Sequence, residues 1–186
     1  SLSYDKLLVA AGSRPVVPPI KGVDGVENAF TFMALDSAKA LGKALGPDKR
    51  VLILGAGLIG LKCAEGIAGR VGSLTVADLA DHILPSILDS EAAAMVQRHI
   101  EDHGVSFLLG DGVDSFEGNT AVLKSGKKVP FDLLVICVGV RPNTSLVSEA
   151  GGEVARGIRV DPGCVTTIPD VYAAGDCTES FDVSSG

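Results

Sequence analysis

The sequence predicts an α/β fold in which a parallel β-sheet is covered on both faces. Short apolar runs alternate with segments of helical periodicity, which is the order of elements in a parallel sheet with right-handed crossovers. The apolar runs read as buried strands, as expected when both faces of the sheet are covered. Glycine is also abundant, with 23 of 186 residues, which indicates many tight turns and close backbone approaches.

The individual elements follow from these patterns. Strands are predicted where apolar residues run together, at 6–10, 50–54, 74–77, 105–109 and 132–138. Helices are predicted at 36–45, with Asp36 near the N-cap, at 58–69, and at 90–103. The last helix begins at a capping Ser90 and stops at Gly104. Residues 12–28 are rich in Pro and Gly and are predicted to connect elements, and 121–130 is predicted to form a small hairpin.

Charge, apolar run length and cysteine spacing exclude several classes of function. The formal net charge of -7 would repel a phosphate backbone, so nucleic acid is not an expected partner. The longest apolar run, 51–61, is far shorter than the roughly 18 residues needed to span a bilayer. The four cysteines form no close pair, which argues against disulfides and a metal site. We therefore expect a cytoplasmic protein without nucleic-acid or membrane partners.

An internal repeat links the beginning of the chain to its later half. Residues 5–15 read DKLLVAAGSRP and residues 132–142 read DLLVICVGVRP, so each copy is a buried strand that ends at a Gly and stops at a Pro. In the second copy Gly139 follows Gly55 by 139 − 55 = 84 residues. A comparable glycine before Gly12 would lie upstream of residue 1. We therefore expect a second nucleotide-binding domain that is truncated on its N-terminal side.

A strand, a glycine turn and a helix follow one another at 51–69, and the turn has the spacing G-x-G-x-x-G. Gly55 is expected to turn the chain out of the strand, Gly57 to let a pyrophosphate approach the backbone, and Gly60 to let the helix pack closely. The free amides at the helix N-terminus, where Leu58 and Ile59 lie, attract phosphates. An acidic protein can therefore still bind a dinucleotide.

Asp78 ends the next predicted strand and lies 78 − 57 = 21 residues after the second glycine, near the usual spacing of about 20. An acidic residue at this place accepts hydrogen bonds from a ribose diol. Residues 79–81 contain no Arg or Lys to receive a 2′-phosphate, so the sequence favours NAD(H) over NADP(H). The alternative is a structural glycine turn in which Asp78 is an ordinary loop carboxylate.

Four stretches together resemble the pyridine nucleotide-disulfide oxidoreductase superfamily, and most closely its NADH oxidase, ferredoxin reductase and NADH-nitrite reductase flavoprotein branch. These stretches are residues 4–15, 55–60, 132–143 and 166–177. The resemblance implies a three-layer, Rossmann-like NAD(H)-binding domain at 34–143, with a parallel sheet and a small β-meander. It also implies that 1–33 and 144–186 are the returning parts of a truncated FAD-binding domain.

The resemblance implies specific cofactor contacts. Gly139 would join the glycine turn and Asp78 in binding NAD(H), while Gly12, Gly175 and Asp176 would lie near FAD. Two positions depart from the family pattern. Many relatives have an aromatic residue where Leu58 stands, and many have a Glu where this chain has Lys62. Lys62 is therefore either a changed residue near the nicotinamide or an ordinary solvated helix residue.

The resemblance implies that the parent protein is an FAD-dependent NAD(P)H oxidoreductase in which hydride passes from NADH to flavin. The remaining FAD domain, an interface domain and a homodimer would belong to the full-length protein, and this chain alone would be inactive. The alternative is a stand-alone nucleotide-binding module without catalysis. His99 and His103 have a spacing that could hold a metal, but no further ligand accompanies them, so a surface helix face is expected and no metal site.

Overall fold

The computed structural model describes residues 2–180. In chain order its strands are β1 (Leu7–Val9), β2 (Ser13–Pro15), β3 (Ala29–Thr31), β4 (Arg50–Leu54), β5 (Ser73–Ala77), β6 (Val105–Leu108), β7 (Val113–Phe116), β8 (Thr120–Leu123), β9 (Lys128–Pro130), β10 (Leu133–Ile136), β11 (Val140–Pro142), β12 (Ile158–Arg159), β13 (Val171–Ala173) and β14 (Thr178–Glu179). The α-helices are α1 (Leu35–Ala44), α2 (Leu58–Ile67), α3 (Ser90–Glu101) and α4 (Ser145–Ser148). Two short 3₁₀ turns, Val23–Gly25 and Ala68–Arg70, complete the regular structure.

The chain divides into two compact units, one of Pro15–Gly139 and one that combines Ser1–Arg14 with Val140–Gly186. The larger unit contains a five-stranded sheet in the order β3-β10-β4-β5-β6. Each neighbouring pair in this sheet is parallel. Because the strands are parallel, their carboxyl ends meet at one edge, and this edge holds the loops that matter for function.

The two faces of this sheet are covered by different layers. Residues 51, 53, 76 and 135 face a core that includes buried residues of α1, α2 and α3. The alternating residues 52, 54, 134 and 136 face the three-stranded antiparallel meander β7-β8-β9 and the segment around Val23. Helices, parallel sheet and meander form three layers, which confirms the predicted fold class. The alternation follows from the pleat, which sends successive side chains to opposite faces.

Most element boundaries agree with the sequence-based expectations, but three points differ. The N-cap of α3 is Asp89, whose carboxylate accepts the Ala92 N–H at 2.9 Å, and Ser90 is the first helical residue. In α1 the N-cap is Ala34 without a side-chain hydrogen bond, and Asp36 lies in the first turn. The expected hairpin at 121–130 is part of a larger meander that begins at β7.

The NAD(H)-binding domain is predicted at 34–143, and this assignment stays a prediction. The larger compact unit also contains residues 15–33, which precede that range. The reason is β3, which pairs with β10 so that Phe30 lies beside Val135. No helix among residues 2–180 has the length and apolar character needed to cross a membrane.

The smaller unit contains the parallel pair β1-β13, the parallel pair β12-β14 and the pairing of β2 with β11. Its core is small, and its fully buried residues include Ile158, Ala173 and Cys177. Residues 181–186 of the expected range 144–186, and residue 1 of the range 1–33, lie outside the described residues.

Candidate functional site

A cleft of about 690 Å³ lies within the larger unit at the carboxyl ends of β4, β5 and β10. Its lining includes the glycine turn after β4, Asp78 and Leu79 after β5, and residues 137–139 after β10. Part of the meander also contributes, through residues 111–113 and Lys124. Ligand pockets in proteins commonly measure about 300–1,000 Å³, so the cleft is large enough for a cofactor.

Two glycines of the turn are required by the protein's own packing. Gly55 has a φ of 107°, and a Cβ at that position would lie 2.4 Å from the Cys137 carbonyl oxygen. A Cβ on Gly60 would lie 1.9 Å from the Gly55 carbonyl oxygen. Real Cβ atoms do not approach backbone oxygen this closely, so both positions need a residue without a side chain. These two glycines bring the start of α2 close to the strand end.

Gly57 is different, because nothing within the protein requires a glycine there. Its φ of -80° and ψ of -175° are accessible to any residue. A Cβ on Gly57 would meet no heavy atom within 4 Å, and the residue lines the cleft. The absent side chain therefore leaves open space in the cleft beside the backbone. This is the arrangement that lets a diphosphate approach backbone amides.

The N-terminus of α2 faces this open space without a cap from its own side chains. Its N-cap, Gly57, makes no side-chain hydrogen bond, and no acidic residue lies in the first turn. The N–H groups of the first turn have no intrahelical acceptors, and the cleft lining includes Leu58 and Ile59. The helix dipole adds a partial positive charge at the same point, so an anionic group is favoured here.

Asp78 lies at the same cleft and is half-buried. Its Oδ2 accepts the Ala56 N–H at 2.6 Å, and its Oδ1 accepts the Ala80 N–H at 2.9 Å. An ionised carboxylate has about four acceptor positions, so two remain for hydroxyl donors. The neighbouring Leu79 is 66% exposed and apolar. Residues 79–86, which include two cleft-lining residues beyond Leu79, contain no Arg or Lys.

Gly139 completes the cleft at the end of β10. Its φ is 116°, and a Cβ there would meet no heavy atom within 4 Å. Leu58, which is 58% exposed, lines the cleft at the point where relatives were expected to carry an aromatic residue. Lys62 is not part of the lining, and its ammonium contacts the Glu65 carboxylate instead. This contact favours the interpretation that Lys62 is a solvated helix residue.

The four cysteines lie in very different surroundings. Burial raises the pKa of the Cys63 thiol to about 11 and that of Cys137 to about 12, so both remain protonated at neutral pH. Cys177 is fully buried with its Sγ near the Val9 and Ala174 carbonyl oxygens, which fits a small packing residue. Cys164 is exposed. The cysteines therefore supply no activated thiol at the cleft.

A family model described as pyridine nucleotide-disulphide oxidoreductase matches residues 1–185 of the chain. The chain belongs to the pyridine nucleotide-disulphide oxidoreductase family. An NADH oxidase from Methanocaldococcus jannaschii is 34% identical over all of this chain and 42% of its own length. A probable ferredoxin reductase from Castellaniella defragrans is 39% identical over 95% of this chain and 44% of its own length.

Solved structures of the family have the same fold. A water-forming NADH oxidase from Lactobacillus brevis bound to NADH matches with a TM-score of 0.85 and 32% identity over 95% of this chain and 40% of its own. An engineered mutant of that oxidase bound to NADPH matches with a TM-score of 0.83 and 30% identity, over the same shares of the two chains. The chain thus spans less than half the length of each of these relatives. They confirm the predicted superfamily, and the two oxidase structures are bound to NADH and to NADPH.

The smaller unit carries the second set of residues that the family resemblance singled out. Gly12 follows β1 and Gly175 follows β13, and the parallel pairing of these strands puts both glycines at one edge. Both have positive φ, 62° and 81°, and neither would bring a Cβ within 4 Å of another heavy atom. Asp176 is exposed, and its carboxylate accepts the Ser13 Oγ–H at 3.3 Å.

The family stretch 166–177 has a local physical role in this unit. Thr166 is buried, and its hydroxyl donates to the Val171 carbonyl at 2.8 Å and accepts the Ile168 N–H at 3.1 Å. These bonds close the turn that contains Asp170, which has a φ of 60°. The turn directs β13 into its place beside β1 and so presents Gly175 and Asp176 at the edge.

The loop before the meander forms a part of the cleft that was not predicted from the sequence. Asp111 and Gly112 line the cleft, and a Cβ on Gly112 would lie 2.3 Å from a Leu79 methyl group. The Asp111 carboxylate also accepts the Ser125 N–H at 3.1 Å, which ties the loop to the meander. Their position in the chain could have predicted this. They follow β6, and the carboxyl end of β6 lies at the same edge of the sheet as that of β5.

Proposed function

We propose that the unit Pro15–Gly139 binds NAD(H) and that the protein containing this chain is an FAD-dependent oxidoreductase that takes hydride from NADH. The observation that carries the proposal is the open space beside Gly57 at the uncapped N-terminus of α2. Neither backbone conformation nor packing explains a glycine there, whereas an approaching diphosphate does. Asp78 lies at the same cleft with acceptor capacity to spare, as a ribose diol requires.

The cleft favours NADH over NADPH. A 2′-phosphate beside Asp78 would meet a carboxylate, and residues 79–86 offer no Arg or Lys to neutralise it. Five residues are changed in the NADPH-bound mutant. They are a glycine, an aspartate eighteen residues after it, the two residues that follow the aspartate, and a proline seven residues after the aspartate. Two of these changes introduce an arginine. Here Gly60, Asp78 and Pro85 have that spacing, since 78 − 60 = 18 and 85 − 78 = 7.

The smaller unit fits part of an FAD site. Gly12 and Gly175 leave open space at one edge, and Asp176 places an exposed carboxylate beside it. When bound, the flavin would accept the hydride that NADH supplies. The edge in this unit is built on two strands, and Leu8 of β1 is 60% exposed. We therefore expect the 186-residue chain to hold FAD weakly and to show no turnover by itself.

Calorimetric titration of the chain with NADH, NADPH, ADP-ribose and S-adenosylmethionine tests this function. We expect NADH and ADP-ribose to bind, and NADPH to bind at least about tenfold more weakly, which corresponds to about 1.4 kcal/mol. Replacing Asp78 by Ala together with Leu79→Arg and Pro85→Arg is expected to reverse the preference. Asp24→Ala serves as a matched control, because Asp24 is an acidic residue of the same unit that is not part of the cleft lining.

Three outcomes would each contradict a part of the proposal. Tighter binding of S-adenosylmethionine than of NADH would favour a stand-alone nucleotide-binding module without catalysis. Equal affinity for NADH and NADPH would contradict the role given to Asp78. A tightly bound flavin in the purified chain, seen as visible absorbance that survives dialysis, would contradict the expected weak FAD binding.

A further inference from the structure

Ala56, the residue between the first two glycines of the turn, is held on both sides by the segment that follows β5. Its N–H donates to the Asp78 carboxylate at 2.6 Å, and its carbonyl oxygen accepts the Leu84 N–H at 2.9 Å. Ala56 is fully buried. Its N–H is therefore out of reach of water, and Asp78 supplies the acceptor that a buried donor needs.

These two bonds fix the peptide planes on either side of Ala56. The planes lead directly into Gly57 and the first-turn amides of α2, which are the groups proposed to bind the diphosphate. Gly57 has no side chain, and its carbonyl oxygen accepts the Leu61 N–H at 3.0 Å on the helix side, so the bonds of Ala56 anchor the turn between Gly55 and Gly57. A glycine turn without an anchor samples many conformations, because glycine has the widest backbone freedom of any residue.

We propose that Asp78 is a positioning residue for the diphosphate site, in addition to its contact with the ribose. Its Oδ2 orders the glycine turn through Ala56 before any nucleotide binds, and its Oδ1 is itself held by the Ala80 N–H. The carboxylate can do both because two acceptor positions stay free after these two bonds form. This inference rests on the proposed NAD(H) function and concerns the order of the turn in the nucleotide-free protein.

Asp78→Asn tests the inference, because asparagine keeps the shape of the side chain but has only one acceptor oxygen. The side-chain amide nitrogen must then face either the Ala56 or the Ala80 N–H, donor against donor. Asp81→Asn is the matched control. It removes the same charge three residues along, and Asp81 is 89% exposed and contacts His82.

The first measurement is amide hydrogen exchange of the nucleotide-free chain. Because either amide can lose its acceptor in Asp78→Asn, Asp78→Ala, which removes both oxygens, is measured beside it. We expect the Ala56 amide to exchange at least about tenfold faster in Asp78→Ala than in the unchanged chain or in Asp81→Asn, and either the Ala56 or the Ala80 amide to exchange faster in Asp78→Asn. Amides of Ile53 and Val76, in the centre of the sheet, should exchange at the same rate in all variants, which excludes global destabilisation. An unchanged Ala56 rate in Asp78→Ala would overturn the inference whether or not the chain binds NADH.

The second measurement uses ADP and 2′,3′-dideoxy-ADP, which share the diphosphate but differ in the ribose diol. We expect Asp78→Asn to weaken the binding of both by about fivefold or more, on the order of one hydrogen bond. Loss of a negative charge beside a phosphate site would by itself strengthen binding, so a weakening identifies positioning. If 2′,3′-dideoxy-ADP binds Asp78→Asn as well as it binds the unchanged chain, Asp78 acts on the ribose alone. If the unchanged chain binds neither nucleotide, the proposed function fails and hydrogen exchange alone decides the anchoring.

Discussion

Two alanine substitutions three residues apart are expected to have opposite consequences. In Gly60→Ala the new Cβ would lie 1.9 Å from the Gly55 carbonyl oxygen, so the helix start and the turn must separate by about 3.0 − 1.9 = 1.1 Å to reach even a tight contact. Overpacking of this kind costs about 1–3 kcal/mol. In Gly57→Ala the new Cβ meets nothing within 4 Å and the backbone angles suit alanine.

The free energy of unfolding of Gly57→Ala is therefore expected to lie within about 1 kcal/mol of that of the unchanged chain. The smaller entropy of its unfolded state stabilises it, and the loss of a favourable N-cap residue offsets this. Its NADH affinity should nevertheless fall at least about tenfold, since the methyl group occupies the space proposed for the diphosphate.

Urea unfolding and calorimetric NADH titration measure the two quantities separately. Gly66→Ala is the control, because Gly66 lies in the same helix with nothing within 4 Å and is not part of the cleft lining. Gly66→Ala should raise the free energy of unfolding by up to about 1 kcal/mol and leave the NADH affinity unchanged. The reasoning is refuted if Gly57→Ala binds NADH like the unchanged chain, or if it loses as much stability as Gly60→Ala.

Three further predictions concern other parts of the molecule. The Arg50 guanidinium and backbone N–H hold the pKa of Asp132 below its usual range. The pair therefore stabilises the fold at a pH above the unfolded-state pKa of about 3.9, and this stabilisation is lost as the pH falls from there through the lower folded-state pKa. Asp132→Asn should therefore lower stability at pH 7 and flatten the loss of stability in acid, measured by urea unfolding across pH; an unchanged acid profile would contradict this. Of the four cysteines only Cys164 is exposed, so a thiol reagent should label one thiol per native chain, and none in Cys164→Ser. Thr166→Val should lower the free energy of unfolding by about 1–3 kcal/mol, because it leaves the Ile168 N–H without its acceptor and removes the hydroxyl bond to the Val171 carbonyl, which keeps the Thr166 N–H as a donor. A thermal midpoint equal to that of the unchanged chain would oppose the role of this turn.

The sequence was most informative where structure is determined locally. The strand 50–54 and the start of the following helix at Leu58 were predicted to the residue, because an apolar run, a glycine turn and a helical pattern lie next to one another. The position of Asp78 at the cleft also follows from chain order, since it ends the strand that pairs beside β4.

Elements that depend on distant pairing were not predictable in this way. β3 has three residues and no strong apolar pattern, and it becomes a strand because β10, about 100 residues later, pairs with it. The first strand of the meander was missed for the same reason, since its sequence, VDSF, gains its apolar contacts only when β8 lies beside it. The predicted cap of α3, Ser90, was wrong by one residue, because Asp89 is the N-cap and both residue types cap helices well.

The internal repeat gains a physical meaning from the two units. In each copy a parallel strand ends, and a glycine with positive φ follows it, Gly12 after β1 and Gly139 after β10. At both glycines the position of a Cβ is open space, so the positive φ, rather than packing, is what requires a glycine within the protein itself. The two Arg-Pro segments that follow, in β2 and β11, then pair with one another. The same local solution thus occurs at the end of a strand in both units, at the edge where each is proposed to hold a dinucleotide. If Gly139→Ala weakens NADH binding, the corresponding change Gly12→Ala should weaken FAD binding in the protein that contains this chain. A loss of stability in both variants without a loss of cofactor affinity would show that the repeated glycine serves a backbone turn rather than a ligand.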